Sequence, residues 1–210
     1  MHEHEYSVLG GINRSIIGRY LSLIAATLSI SAAVVILTII KHAEFLEIRA
    51  SLPPTFLSLA MAGAIFAGLY SLFDLLLWRC WPINAILKVP DLGGKWNANG
   101  QTLNSDGTQS FTWKGMLTIV QSWDKLRVHL RTDQSVSNSF SAAIVCDEVD
   151  GFRLLYSYAN EPRLGQVELS THRGFAELTF AKDRQSAEGE YFNGRGRQTS
   201  GTIRLTREKS

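Results

Sequence analysis

The sequence predicts a membrane-anchored all-β protein: an N-terminal two-helix transmembrane hairpin followed by a minimal eight-stranded up-and-down β-barrel. Three observations predict it. Charge is unevenly placed, with six basic and five acidic residues before Asp91 against fifteen and fourteen from Asp91 onward. Two long apolar runs fall in the charge-poor part, and after Pro90 the pattern changes to short alternating segments punctuated by turn residues. A net charge of +2 and a mean hydropathy of +0.01 hide this division into two solvents.

The N-terminus MHEHEYSVLGGINR is polar and of mixed charge, and the apolar run behind it lacks a small-residue cleavage site, so no signal peptide is expected. Tyr20 to Ile40 carries no charge and matches the ~20 apolar residues that cross a ~30 Å hydrocarbon core. Thr55 to Phe73 meets the same condition, with Asp74 and LLLW extending it toward Arg79. Helices are therefore expected over about 16–40 and 55–78. The connection KHAEFLEIRASLPP holds the local charge, and Pro53 and Pro54 suit a helix start. Arg14, Arg19, Arg79 and Lys88 flank the hairpin outside, against Lys41 and Arg49 in its loop, which places both termini in the cytoplasm. Trp78 and Trp81 fit an aromatic belt at that interface.

Inside the spans, Ala25, Ser29 and Ala33, and then Ala60, Ala64 and Gly68, recur every four residues. Small residues at that spacing let backbones approach closely in lipid, either within the hairpin or between copies. Arg19 and Asp74 come to similar depth in an antiparallel hairpin, where they can pair or snorkel separately.

A short linker leads to the second domain, so residues 1–90 form the membrane part and 91–210 the barrel. Strands are expected at Lys95 to Leu103, Phe111 to Ser122, Lys125 to Thr132, Ser139 to Asp147, Phe152 to Tyr158, Phe175 to Ala181, Glu188 to Phe192 and Gly201 to Arg207. NSDGT, WDK, DGF, NEPRLG, KDRQS and NGRGRQTSG separate them. Leu126, Val128 and Leu130 form one face and Arg127, His129 and Arg131 the other. Eight consecutive strands can close into a lipocalin-like barrel, removing exposed edges and leaving room for packed side chains or one small ligand.

The chemistry is that of binding. No phosphate loop, dinucleotide glycine fingerprint, nucleophile elbow or paired-histidine zinc helix is present, and Cys80 and Cys146 have no metal-ligand spacing. No catalytic residue, metal or cofactor is expected. His129 and His172 lack an evident nucleophile and suit structural roles, and Glu188 and Glu190 share one solvated strand face. Neither half has the basic excess that a DNA or RNA polymer requires. Aromatic and hydrogen-bonding residues nevertheless alternate in QSW, YSYAN and YFNGRGR. Such groups can stack on bases, read their edges and oppose phosphate charge. They also suit an ordinary barrel core whose tyrosines reach the rim.

PDLGGKW, IVQSWDKLRVHLRT, LLYSYANEP, THRG and EGEYFNGRGRQTSGTIRL, following two apolar helices, resemble the SMODS-associating two-transmembrane, β-strand-rich effectors of bacterial CBASS anti-phage systems. The likeness covers nearly the whole chain and is sharpest at Gln121 to Trp123 and Gly189 to Leu205. It implies a barrel that binds a cyclic dinucleotide made by a partner CD-NTase, then oligomerisation in the inner membrane, membrane disruption and abortive infection. Within the matching motifs, Gln121, Trp123, Arg127, Tyr156, Tyr158, Asn160, Tyr191, Asn193, Arg195 and Arg197 are the candidate ligand contacts. Two rivals remain: a tethered barrel for a lipid or apolar metabolite, and a ligand-free membrane scaffold.

Overall fold

The computed structural model describes residues 2–11, 14–45, 54–104, 106–147, 151–163, 170–194 and 198–208. It divides into two units, Ile12–Cys80 and a second made of Met1–Gly11 with Trp81–Ser210. The first eleven residues thus belong with the strands, not with the helices they adjoin in sequence.

In the helical unit, α1 spans Arg14–Phe45 and α2 spans Pro54–Leu75, followed by a 3-10 turn at Leu77–Arg79. Pro54 occupies the first helical position, where its missing N–H costs nothing. Leu21, Ala25 and Ser29, spaced one helical turn apart on α1, are buried, as is Phe73 on α2, and the two helices pack together. Leu23, Ile30, Val34 and Ile39 instead face outward. Large apolar side chains turned outward suit lipid as the solvent. Ser22, Thr27, Ser31 and Thr38 each donate to the carbonyl four residues back, so these hydroxyls are met within the helix. Among the described residues one segment, Arg14–Ile36, is long and apolar enough to cross a membrane by length and composition. Arg19 is exposed on α1.

Among the described residues the second unit holds nine strands in one closed barrel, one more than the expected eight. The added strand is β1, His4–Leu9. Its short polar sequence ahead of an apolar helix reads as a tail, and only its partners make it a strand. The others are β2 (Gly94–Leu103), β3 (Gln109–Gln121), β4 (Lys125–Thr132), β5 (Ser135–Asp147), β6 (Gly151–Pro162), β7 (His172–Phe180), β8 (Ser186–Asn193) and β9 (Ser200–Arg207). Each pairs antiparallel with the next, and β9 returns to β2.

The seam between β4 and β5 is divided. Toward one end they pair directly, through His129↔Asn138 and Arg131↔Val136. Toward the other, β1 lies between them, antiparallel to β4 at His4↔Leu126 and parallel to β5 from Tyr6↔Ala142 to Leu9↔Val145. Gly10 then turns the chain at φ +82°, where an added Cβ would lie 2.5 Å from the Cys146 carbonyl oxygen.

Inward alternation builds the core, with Leu117, Ile119, Leu126, Val128, Leu154 and Leu178 fully enclosed. Trp96 meets Phe180 edge to face at 5.1 Å, and Arg207 lies over the Trp96 ring at 5.1 Å while donating to the Gly93 carbonyl. A short helix α3, Ile83–Leu87, ends at left-handed Lys88 and buries Leu87. Gln121 is held near it: its Oε1 accepts from the Leu92 N–H at 2.8 Å and its Nε2 donates to the Pro90 carbonyl at 3.0 Å. This end is closed; the opposite one is not.

Candidate functional site

At the open end the lumen becomes a cavity, whose empty space, mouth included, is about 800 Å³. Its position follows from strand alternation. Tyr156, Tyr158 and Asn160 are successive inward positions of β6, Tyr191 and Asn193 of β8, and Ser135 and Ser137 of β5. Below them the inward positions are filled by leucine, valine and isoleucine. Smaller or polar residues at the upper positions leave the space unfilled.

Two tyrosine rings lie flat against the wall because a glycine faces each across the strands. Tyr158 pairs with Gly174 and Tyr191 with Gly201. A Cβ at Gly174 would come within 2.5 Å of the Tyr158 ring, and one at Gly201 within 2.6 Å of the Tyr191 hydroxyl. Glycine there is a condition for the ring position.

The wall then orders itself by hydrogen bonds. The Tyr191 hydroxyl lies 2.7 Å from Thr102 Oγ1 and accepts from Trp113 Nε1 at 3.1 Å. Tyr158 donates to Asn193 Oδ1 at 2.8 Å, and Asn193 Nδ2 donates to Thr199 Oγ1 at 2.8 Å. Asn160 Nδ2 donates to Ser137 Oγ at 2.7 Å and to Ser135 Oγ at 2.9 Å, while its Oδ1, buried, has no partner among the described residues. His172 stands directly across from Asn160, with Nδ1 2.9 Å from the Ser170 carbonyl oxygen, which only accepts; Nδ1 therefore carries the proton. The Tyr156 ring lies 5.9 Å from that of Tyr158, and burial pushes its hydroxyl far above the ordinary tyrosine value, so it remains a donor. Among the described residues that line the cavity, none is Asp, Glu, Lys or Arg.

Of the ten candidate contacts, Tyr156, Tyr158, Asn160, Tyr191 and Asn193 are brought together here. Gln121 and Trp123 are buried at the closed end, where the Gln121 carboxamide ties down backbone. Arg127 is on the outer wall, its Nη2 donating to Asn138 Oδ1 at 2.7 Å. Arg195 and Arg197 lie outside the described residues. Sequence reasoning missed Thr102, Trp113, Ser137 and the cavity-facing placement of His172. Period-two alternation marks which of them point inward, but only the register shows how far along the barrel they sit. Of the membrane stripes, Ala25 and Ser29 are buried within the helical unit and Ala33 is half-buried, whereas Ala60, Ala64 and Gly68 are exposed.

Two family models match the chain. One described as the Cap15 cyclic dinucleotide receptor domain covers residues 87–207, and one described as the Cap15 TM helices covers residues 15–79. A protein of Yersinia aleksiciae named CD-NTase-associated protein 15 is 44% identical over 207 residues, which is 99% of this chain and 98% of that protein.

Proposed function

The chain belongs to the Cap15 family, and from that premise we propose that it is a CBASS effector in which a cyclic dinucleotide enters the open end of the barrel and the helices act on the membrane. The observation that carries the binding half is the cavity itself: a pocket lined by tyrosine, asparagine and histidine within the segment that matches a receptor model. Aromatic faces stack on bases, and carboxamides and hydroxyls read their edges. Tyr156, Tyr158, Asn160, Tyr191 and Asn193 are its proposed contacts. The phosphates stay near the mouth, because the described lining offers them no cation. Arg195 and Arg197, two and four positions beyond Asn193 in sequence, are proposed to meet them. A lipid or apolar metabolite would leave the carboxamide and imidazole facing hydrocarbon, a costly arrangement.

For the membrane half, α1 and α2 both cross the bacterial inner membrane, with termini and barrel cytoplasmic. Ligand drives association of copies through the helices, and the assembly disrupts the bilayer. The apolar outward face of α1 and the TM-helix match support membrane association. The exposed Ala60, Ala64 and Gly68 offer a close-approach surface. The binding part is tested by thermal unfolding of the full chain in detergent, with and without a panel of cyclic dinucleotides and fatty acids. A cyclic dinucleotide at about 100 times its dissociation constant should stabilise the barrel by roughly 2.7 kcal/mol. Stabilisation by fatty acids alone, or by nothing in the panel, overturns the reading.

A further inference from the structure

We infer that Asn160 and His172 together read an exocyclic amino group on a base of the bound nucleotide, so the barrel selects ligands carrying adenine, guanine or cytosine over those carrying only uracil or hypoxanthine. This rests on the receptor reading and deepens it. Hydrogen bonds satisfy the tyrosine and asparagine groups on the β8 side of the cavity: Tyr191 with Thr102 and Trp113, and Tyr158 with Asn193. On the neighbouring strands β7 and β6, His172 and Asn160 each keep an acceptor. Asn160 is 7% exposed, both N–H groups of its carboxamide are committed to Ser135 and Ser137, and its Oδ1 has no partner among the described residues. His172 is 5% exposed, its Nδ1 proton is committed to the Ser170 carbonyl, and its Nε2 has no hydrogen bond among the described residues. In the neutral ring that nitrogen is an acceptor.

These two side chains are a directly opposed pair on β6 and β7. Opposed inward positions hold their Cβ atoms about 5 Å apart. An amino group has two N–H bonds diverging in one plane, so one nitrogen can donate to two acceptors held on paired strands. A buried acceptor left unmet is expensive, and a base that satisfies both gains what one without an amino group forgoes. A carbonyl oxygen at the same place would face two other acceptors and be repelled.

The test uses the full chain in detergent and a panel of cyclic dinucleotides with adenine, guanine, cytosine and uracil in both common linkages. The tightest binder is then compared with its analogue lacking the amino group, purine replacing adenine or hypoxanthine replacing guanine. Wild type should lose about tenfold or more in affinity on that deletion. Asn160→Leu and His172→Phe should bind the two compounds alike, and His172→Gln, which keeps an acceptor, should restore discrimination. Equal affinity of wild type for both compounds, tightest binding to the all-uracil ligand, or undiminished discrimination in Asn160→Leu and His172→Phe overturns the inference while leaving the receptor reading intact. If either of those variants fails to fold, the wild-type comparison and His172→Gln decide. Absence of binding to any cyclic dinucleotide overturns the receptor reading, and this inference with it.

Discussion

Residues of one chemical type do different work at the two ends of this barrel. Gln121 and Asn160 are both buried carboxamides, yet the Gln121 oxygen accepts from the Leu92 N–H whereas the Asn160 oxygen, beside a cavity, has no partner among the described residues. Gln121→Leu should therefore cost about 1–3 kcal/mol of stability, because it orphans buried backbone groups. The ligand-induced rise in melting temperature should persist in that variant, and its loss would place Gln121 in the site after all. Tyr156 gives a pH dependence whose sign follows from burial. Its folded-state value is raised above the unfolded value of 10, so its contribution to stability is complete below pH 10 and is lost as pH climbs beyond that. Urea unfolding between about pH 9 and 11, followed by tryptophan fluorescence, should show stability falling above pH 10, and Tyr156→Phe should flatten that fall.

At the scale of elements, β1 is the piece that composition hides. Its inward Tyr6 donates to the Ser122 carbonyl at 3.2 Å and accepts from Gln121 Nε2 at 3.3 Å. His4 Nε2 lies 2.7 Å from Ser139 Oγ, which also accepts from the Val128 N–H at the point where β4 and β5 part. The same two strands supply Leu130, Ser135 and Ser137 to the cavity, and a few residues beyond β1 the chain enters α1. A four-residue glycine-serine insertion between Gly10 and Gly11 should leave ligand stabilisation unchanged and reduce ligand-triggered dye release from vesicles. Undiminished release would show that β1 passes on no signal. In the helices, a Cβ added at Gly68 would meet nothing within 4 Å among the described residues, so Gly68→Ile should leave the fold and nucleotide binding intact. Toxicity on induction should fall if copies meet along Ala60, Ala64 and Gly68. Unchanged killing would assign those residues to the fold alone.

For the whole molecule, the proposed function requires that a ligand in the lumen alter the membrane through association of copies. A ligand shifts an equilibrium only by its differential affinity for two states, so under the proposed mechanism the messenger must bind the associated form more tightly than the isolated one. Confinement to a membrane raises the effective concentration of copies and lowers the differential affinity required. Cyclic dinucleotide affinity should therefore increase with protein density in vesicles. An affinity independent of density would separate binding from assembly.

The sequence by itself determined the two solvents, the helix runs, the β character of the second part and even the faces of its strands. Leu126 and Val128 are enclosed and Arg127 and His129 look outward, as alternation requires. These properties are local: span length, periodicity and turn residues act over a few neighbours. The tertiary structure decided which inward residues share a cavity. Gln121 and Tyr158 alternate inward alike, and register alone sends the first to the closed end and Tyr158 to the open one, while Trp123 is buried in the turn after β3. It also decided that HEYSVL is a strand, because its hydrogen-bond partners lie more than a hundred residues away, at Leu126 and Ala142. The opposition of Asn160 and His172 has the same origin: two residues twelve apart in sequence become one recognition element only when β6 and β7 pair.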